Sequence, residues 1–134
     1  MFINYRKGEI AVLKVMLTAA KKGYVVSMPT VEARYDMIID DGESLLRVQV
    51  KYAGSKKTDG SVGLDLQKNT RGNTKKRPYT KDEIDMVLAY VPYCDKVVML
   101  GPDLFDGRSS ISLRYSPSIN SQLKGVHFVD DLEW

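Results

Sequence analysis

The stretch that decides the fold is residues 35–51, Y-D-M-I-I-D-D-G-E-S-L-L-R-V-Q-V-K. Two apolar runs flank Asp41-Gly42, and Asp-Gly between such runs signals the tight turn of a β-hairpin. On the second run Leu46, Val48, Val50 and Tyr52 alternate with Arg47, Gln49 and Lys51. Side chains two apart share one face of a strand. Gln49 and Lys51 therefore stand side by side, turned away from Val48 and Val50. Asp36 lies on the partner strand. A carboxylate, an amide oxygen and a lysine on adjacent strands can hold a divalent cation and activate a water. An amphipathic hairpin with a solvated polar face would show the same pattern, so the neighbouring segments carry the decision.

The chain has 134 residues, 43% hydrophobic and 28% charged, which suits one domain over residues 1–134 with one core. No apolar run approaches the length of a membrane span. The first residues lack the apolar core of a signal peptide. A lone cysteine, Cys94, has no internal disulfide partner, and with one histidine the chain is too poor in soft ligands for a zinc site. These features lead us to expect a cytoplasmic protein. The net charge of +3 says less than its distribution.

Ahead of the hairpin, residues 5–22 have helical period: Ile10, Leu13, Leu17 and Ala20, with Val12, Met16 and Ala19, form a broad apolar face. Gly23 closes this helix. Glu9 sits one turn before Leu13, near the N-terminus, where the helix dipole favours a carboxylate in any case. Residues 24–28 read as a first strand, 53–63 as a polar loop and 62–66 as a short fourth strand. Residues 67–78, Q-K-N-T-R-G-N-T-K-K-R-P, carry Lys68, Arg71, Lys75, Lys76 and Arg77 with no acidic residue. Their amide and hydroxyl neighbours suit phosphates and base edges, so these five cations are the expected DNA contacts. Thr80 and Glu83 have capping-box spacing. A second helix is expected from there to about Tyr90, burying Ile84, Val87, Leu88 and Val91 and stopped by Pro92. Residues 96–100 read as a buried strand, 103–107 as a turn, and 109–115 as an exposed edge strand. A helical turn near 119 and a small strand at 126–129 complete the chain. His127 and Cys94 are read as structural.

The hairpin resembles the core of the PD-(D/E)XK nucleases, where an Asp near the end of one strand is followed on the next by an acidic residue, any residue and a Lys. Asp36 takes the first place, Gln49 the acidic one, Val50 the spacer and Lys51 the lysine. Tyr35 replaces the family's Pro, and Gln49 removes one negative charge. G-E-I-A at 8–11 resembles the first-helix segment that delivers a Glu. The segment from Tyr79 to Leu100 resembles the family's helix–strand unit, with Asp85 structural. The resemblance spans about residues 8–100, and the Gln-Val-Lys variant looks closest to intron-encoded bacterial homing endonucleases of this fold.

The resemblance implies an α/β fold: a restriction-endonuclease-like mixed central β-sheet flanked by α-helices, in αβββαβ order. It implies hydrolysis of DNA phosphodiesters with Mg²⁺, or Mn²⁺ in its place. Asp36, Glu9, Gln49 and the main-chain carbonyl of Val50 would hold the ion, and Lys51 would act on the attacking water. It further implies double-stranded DNA as partner and a homo-oligomer, dimer or tetramer; the exposed edge strand at 109–115 and the aromatics Phe105, Phe128 and Trp134 make the C-terminal third the expected contact surface. The alternatives are a structure-specific nuclease resembling Holliday junction resolvases and a binding module that has kept the fold without the metal.

Overall fold

A computed structural model of the chain describes residues 3–58, 60–69, 75–117 and 125–134. Residues 70–74, which include Arg71, and the expected helical turn near 119 lie outside the described residues. Helix α1 (Ile3–Lys21) ends where Gly23, at φ +77°, donates its N–H to the carbonyl of Ala20. Ala11, Val15 and Ala19, four apart, are fully buried, whereas Leu13 is 57% and Leu17 51% exposed. The expected broad apolar face thus divides. The small side chains seat the helix on the sheet, and the larger ones face outward.

The central sheet has five strands: β1 (Val25–Ser27), β2 (Met37–Asp40), β3 (Leu45–Tyr52), β8 (Met86–Val91) and β9 (Lys96–Leu100), in the order β1-β2-β3-β8-β9. The hairpin forms as read, with Met37 opposite Val48 and Asp40 opposite Leu45. Its loop is residues 41–44, longer than the two-residue turn expected. Asp41 Oδ1 accepts the N–H groups of Ser44 at 2.7 Å and Glu43 at 2.9 Å, and these bonds, Ser44's first, hold its carboxyl below the usual range.

Strands β3 and β8 run parallel, so a crossover must join them. It is made of strands: β4 (Ser55–Thr58), β5 (Ser61–Asp65), β6 (Gln67–Asn69) and β7 (Lys76–Pro78). After the central sheet come α2 (Pro102–Phe105), β10 (Ser110–Arg114), β11 (His127–Phe128) and α3 (Val129–Leu132). A second sheet has the order β11-β10-β5-β4, and β6 pairs with β7. The central sheet lies between α1 and this second sheet, with a core on each side. Met37, Ile39, Val48, Val50, Met86 and Leu88 face α1. Val87, Ala89, Val91 and Val98 face Val62, Leu64, Ile111 and Leu113. Among the described residues no helix is long and apolar enough to cross a membrane.

The mixed sheet with a flanking helix is as expected, but the second helix is not there. The chain makes one turn at Thr80, whose carbonyl accepts the N–H groups of Glu83 and Ile84, and then extends as β8. The reason is burial on both sides: all six residues of M-V-L-A-Y-V are buried, and a continuous apolar run is what a doubly covered strand needs. Asp85 is structural, as read. Its carboxylate takes the N–H of Arg47 at 2.7 Å and the guanidinium at 3.1 and 3.2 Å, while its own N–H donates to the carbonyl of Arg47. This bidentate pairing docks β8 on β3, and the Arg47 guanidinium holds Asp85 below the usual carboxylate range.

Two further expectations change. The polar loop at 53–63 contains β4, which pairs with β5. The supposed edge strand, β10, is flanked on both sides, antiparallel to β5 and parallel to β11. The C-terminal aromatics are also occupied. Phe105 is fully buried, and Trp134 packs on Tyr24 and donates its N–H to the carbonyl of Val97.

Candidate active site

Asp36 sits one residue before β2. Its N–H donates to the carbonyl of Val48 at 2.8 Å, and its Oδ2 accepts the N–H of Val50 at 2.9 Å. The carboxylate is thereby fastened across the hairpin onto the residue between Gln49 and Lys51. Gln49 and Lys51 share the face turned from α1, beside Val87 and Ala89 of β8. Gln49 is 7% exposed. Among the described residues its Nε2 reaches only the carbonyl of Val50, at 3.5 Å, and its Oε1 is buried without a hydrogen-bond partner. A buried acceptor without a donor is costly.

Lys51 Nζ donates to the carbonyl of Gln67 at 3.2 Å and stands 5.4 Å from the ring of Tyr79. Burial lowers its proton affinity, opposed by the negative fields of Asp65 and Asp36. Two of these neighbours carry no signal in the sequence. Asp65 ends β5 and pairs with Lys76 at 3.0 Å. Tyr79 is fully buried with its hydroxyl unpartnered, and the Arg34 guanidinium lies 4.6 Å from its ring. Burial pushes the Tyr79 hydroxyl well above its ordinary value, so it stays protonated. Asp65, Tyr79 and Arg34 come from separate segments, and only the fold brings them to Lys51.

The basic stretch is more engaged than its sequence suggests. Lys68 Nζ donates to the carbonyl of Ala33 at 2.9 Å. Lys76 is paired with Asp65, and Arg77 with Glu83 at 2.7 Å. Glu83 also holds Arg34, whose Nε lies 2.7 Å from Oε2 as an ion pair rather than an aligned hydrogen bond. Burial works against the charge of Glu83, but Arg77, Arg34 and Thr80 together keep it below the usual range. Lys75 is exposed. Glu9 stands apart from the group. It is exposed on α1, 3.8 Å from Arg6, and α1 covers the opposite face of the sheet. Burial pushes the Cys94 thiol up, in keeping with its structural reading.

Among the described residues no three His, Cys, Asp or Glu groups are arranged to hold a metal. The oxygens gathered around Val50 are the Asp36 carboxylate, which accepts the Val50 N–H, and the Val50 carbonyl, which accepts the Gln49 amide N–H. Magnesium and manganese favour such hard oxygen donors and keep part of their water shell. The partnerless Gln49 Oε1 is the atom such an ion would satisfy.

A family model described as PD-(D/E)XK endonuclease matches residues 4–134. The chain belongs to this family. A solved structure described as a bacterial homing endonuclease, I-Ssp6803I, is similar to it with a TM-score of 0.76 and 25% identity, over 95% of this chain and 86% of that one. No curated protein matches the chain. The protein is therefore an endonuclease of the PD-(D/E)XK family, with the restriction-endonuclease-like fold of that neighbour.

Proposed function

We propose that the protein is a divalent-metal-dependent, site-specific DNA endonuclease of the homing type. The observation that carries this reading is the Asp36 carboxylate fastened at Val50 beside the buried, partnerless oxygen of Gln49, with Lys51 on the same face. Asp36, Gln49 Oε1 and the Val50 carbonyl would hold Mg²⁺ or Mn²⁺. Glu9, on the helix that covers the other face of the sheet, is left out of this donor set. When bound, the ion would polarise the scissile phosphate and acidify a water. Lys51 would orient that water, and its ammonium would offset the charge that develops on the phosphate oxygens. The water oxygen would bond to phosphorus as the bond to the leaving sugar oxygen breaks; the attacking water would lose its proton to bulk water, and the leaving oxygen would take one from bulk water. The homing character rests on the neighbouring fold and the shared size, and is tested with a duplex library of randomised sequence. In Mg²⁺ the protein is expected to cut a restricted set of related sequences and to leave a four-way junction of unrelated sequence intact. Preferential cutting of the junction would favour the resolvase reading instead.

Each chain has one such centre, and cutting both strands of a duplex takes two of opposite polarity. We infer a symmetric oligomer, which a two-fold axis supplies without extra sequence. Phe105 is buried and Trp134 packs on Tyr24, so two of the three C-terminal aromatics are used within the chain. Among the described residues the exposed large apolar side chains include a group on one element, Leu13, Met16 and Leu17 of α1, with Val25 and Met28 nearby in sequence. That face, rather than the C-terminal third, is the proposed contact. Sedimentation equilibrium at micromolar concentration is expected to give a mass at least twice the 15.1 kDa of the chain. A single species at the monomer mass, with and without DNA, would refute the inference.

A further inference from the structure

The outer face of the second sheet carries an open groove of about 470 Å³ that none of Asp36, Gln49 and Lys51 lines. Its origin is the strand alternation: Val62, Leu64, Ile111 and Leu113 turn into the core, so Ser110, Ser112 and Arg114 turn out. Lys57 crosses this face over Gly63. A Cβ there would come within 2.7 Å of Lys57 Cε, so the glycine lets the lysine chain lie flat across the sheet. Lys57, Arg108 and Arg114 line the groove, and no Asp or Glu does so among the described residues. Lys76 and Arg77 are paired with carboxylates, whereas Lys57 and Arg108 have none among the described residues. The Arg114 guanidinium donates to the carbonyls of Ser116 and Pro117.

The three cations come from separate places: Lys57 on β4, Arg108 ahead of β10 and Arg114 at its end. Charges spread in this way suit an extended polyanion better than one phosphate. Serine hydroxyls between them are common partners of phosphate oxygens. The strand that floors the groove ends near Lys51. Asp65, whose field acts on Lys51, is opposite Ser110, and Ser61 of the same strand is opposite Arg114. At about 3.4 Å per residue the strand from Asp65 to Ser61 covers roughly 14 Å, or about four base-pair steps of duplex.

We propose that this groove is a sequence-independent track for the sugar–phosphate backbone of DNA beside the cut. The proposal rests on DNA being the substrate but not on the metal site, so its test is run in EDTA. Binding of a linear duplex is measured against salt for the wild type, for a Lys57→Gln/Arg108→Gln double variant and for Asp36→Asn. Both lysine and arginine are exposed, so the double variant should keep its thermal midpoint. Its affinity is expected to fall about tenfold or more, and its slope of log affinity against log salt to shrink by about 2, because two fewer counterions are released. Asp36→Asn should leave that slope unchanged. Inorganic phosphate should displace DNA from the wild type no better than chloride at equal ionic strength. An unaltered slope and affinity in the double variant would overturn the proposal. So would specific displacement by phosphate that the double variant loses, since that would make the groove a small-anion site.

Discussion

Lys51→Met is expected to reduce DNA cleavage by at least about 1,000-fold while making the protein more stable. The two effects have one cause. Lys51 is held in a largely buried place under the second sheet, with the Gln67 carbonyl as its hydrogen-bond acceptor and the Tyr79 ring beside it. Burial disfavours the ammonium, so its pKa in the folded chain lies below the ordinary 10.5, even with Asp65 and Asp36 nearby. The unfolded chain then holds that proton more tightly than the folded one. The resulting cost to stability is fully present below the folded pKa and disappears as pH rises through the unfolded value. Methionine fills similar space without the charge. The variant should therefore have the higher thermal midpoint at neutral pH, and the gain should vanish in strong alkali. Cleavage within tenfold of the wild type would show that Lys51 is only structural.

Asp36→Asn should have an effect of the same order on cleavage, at least about 1,000-fold, with the fold intact. The amide oxygen can still accept the Val50 N–H, so the hairpin keeps its geometry. What disappears is charge. With the neutral Gln49 beside it in the sequence pattern, Asp36 is the anionic member of the proposed donor set, and hard divalent ions depend on such anionic oxygens. Affinity for Mg²⁺ or Mn²⁺, read by calorimetry, should therefore fall about 10- to 100-fold or more. Unchanged metal affinity in this variant would move the metal site elsewhere in the chain.

Much of the site could be read from strand alternation alone. That pattern put Gln49 and Lys51 on one face, and the turn placed Asp36 across from them, because both are local properties of a hairpin. The strand M-V-L-A-Y-V was misread for an equally local reason. A capping-box spacing precedes it, and a continuous apolar run satisfies helical and strand periods alike. What decides is the long-range pairing of Asp85 with Arg47 and a second sheet that covers the far side. The outward turn of Leu13 and Leu17 is likewise set by the small Ala11, Val15 and Ala19 that the sheet accepts. The carboxylate partners of Lys76 and Arg77 and the approach of Asp65 and Tyr79 to Lys51 depend on contacts between distant segments, and no short motif encodes them.

The most direct test of the assignment is cleavage of a susceptible duplex as a function of Mg²⁺ concentration, for the wild type and Asp36→Asn side by side. The wild type should cut with a saturable dependence on Mg²⁺ and not at all in EDTA, and the variant should stay inactive throughout the titration. Cutting by Asp36→Asn at the wild-type rate, or by the wild type in EDTA, would contradict a metal-dependent centre at Asp36, Gln49 and Lys51.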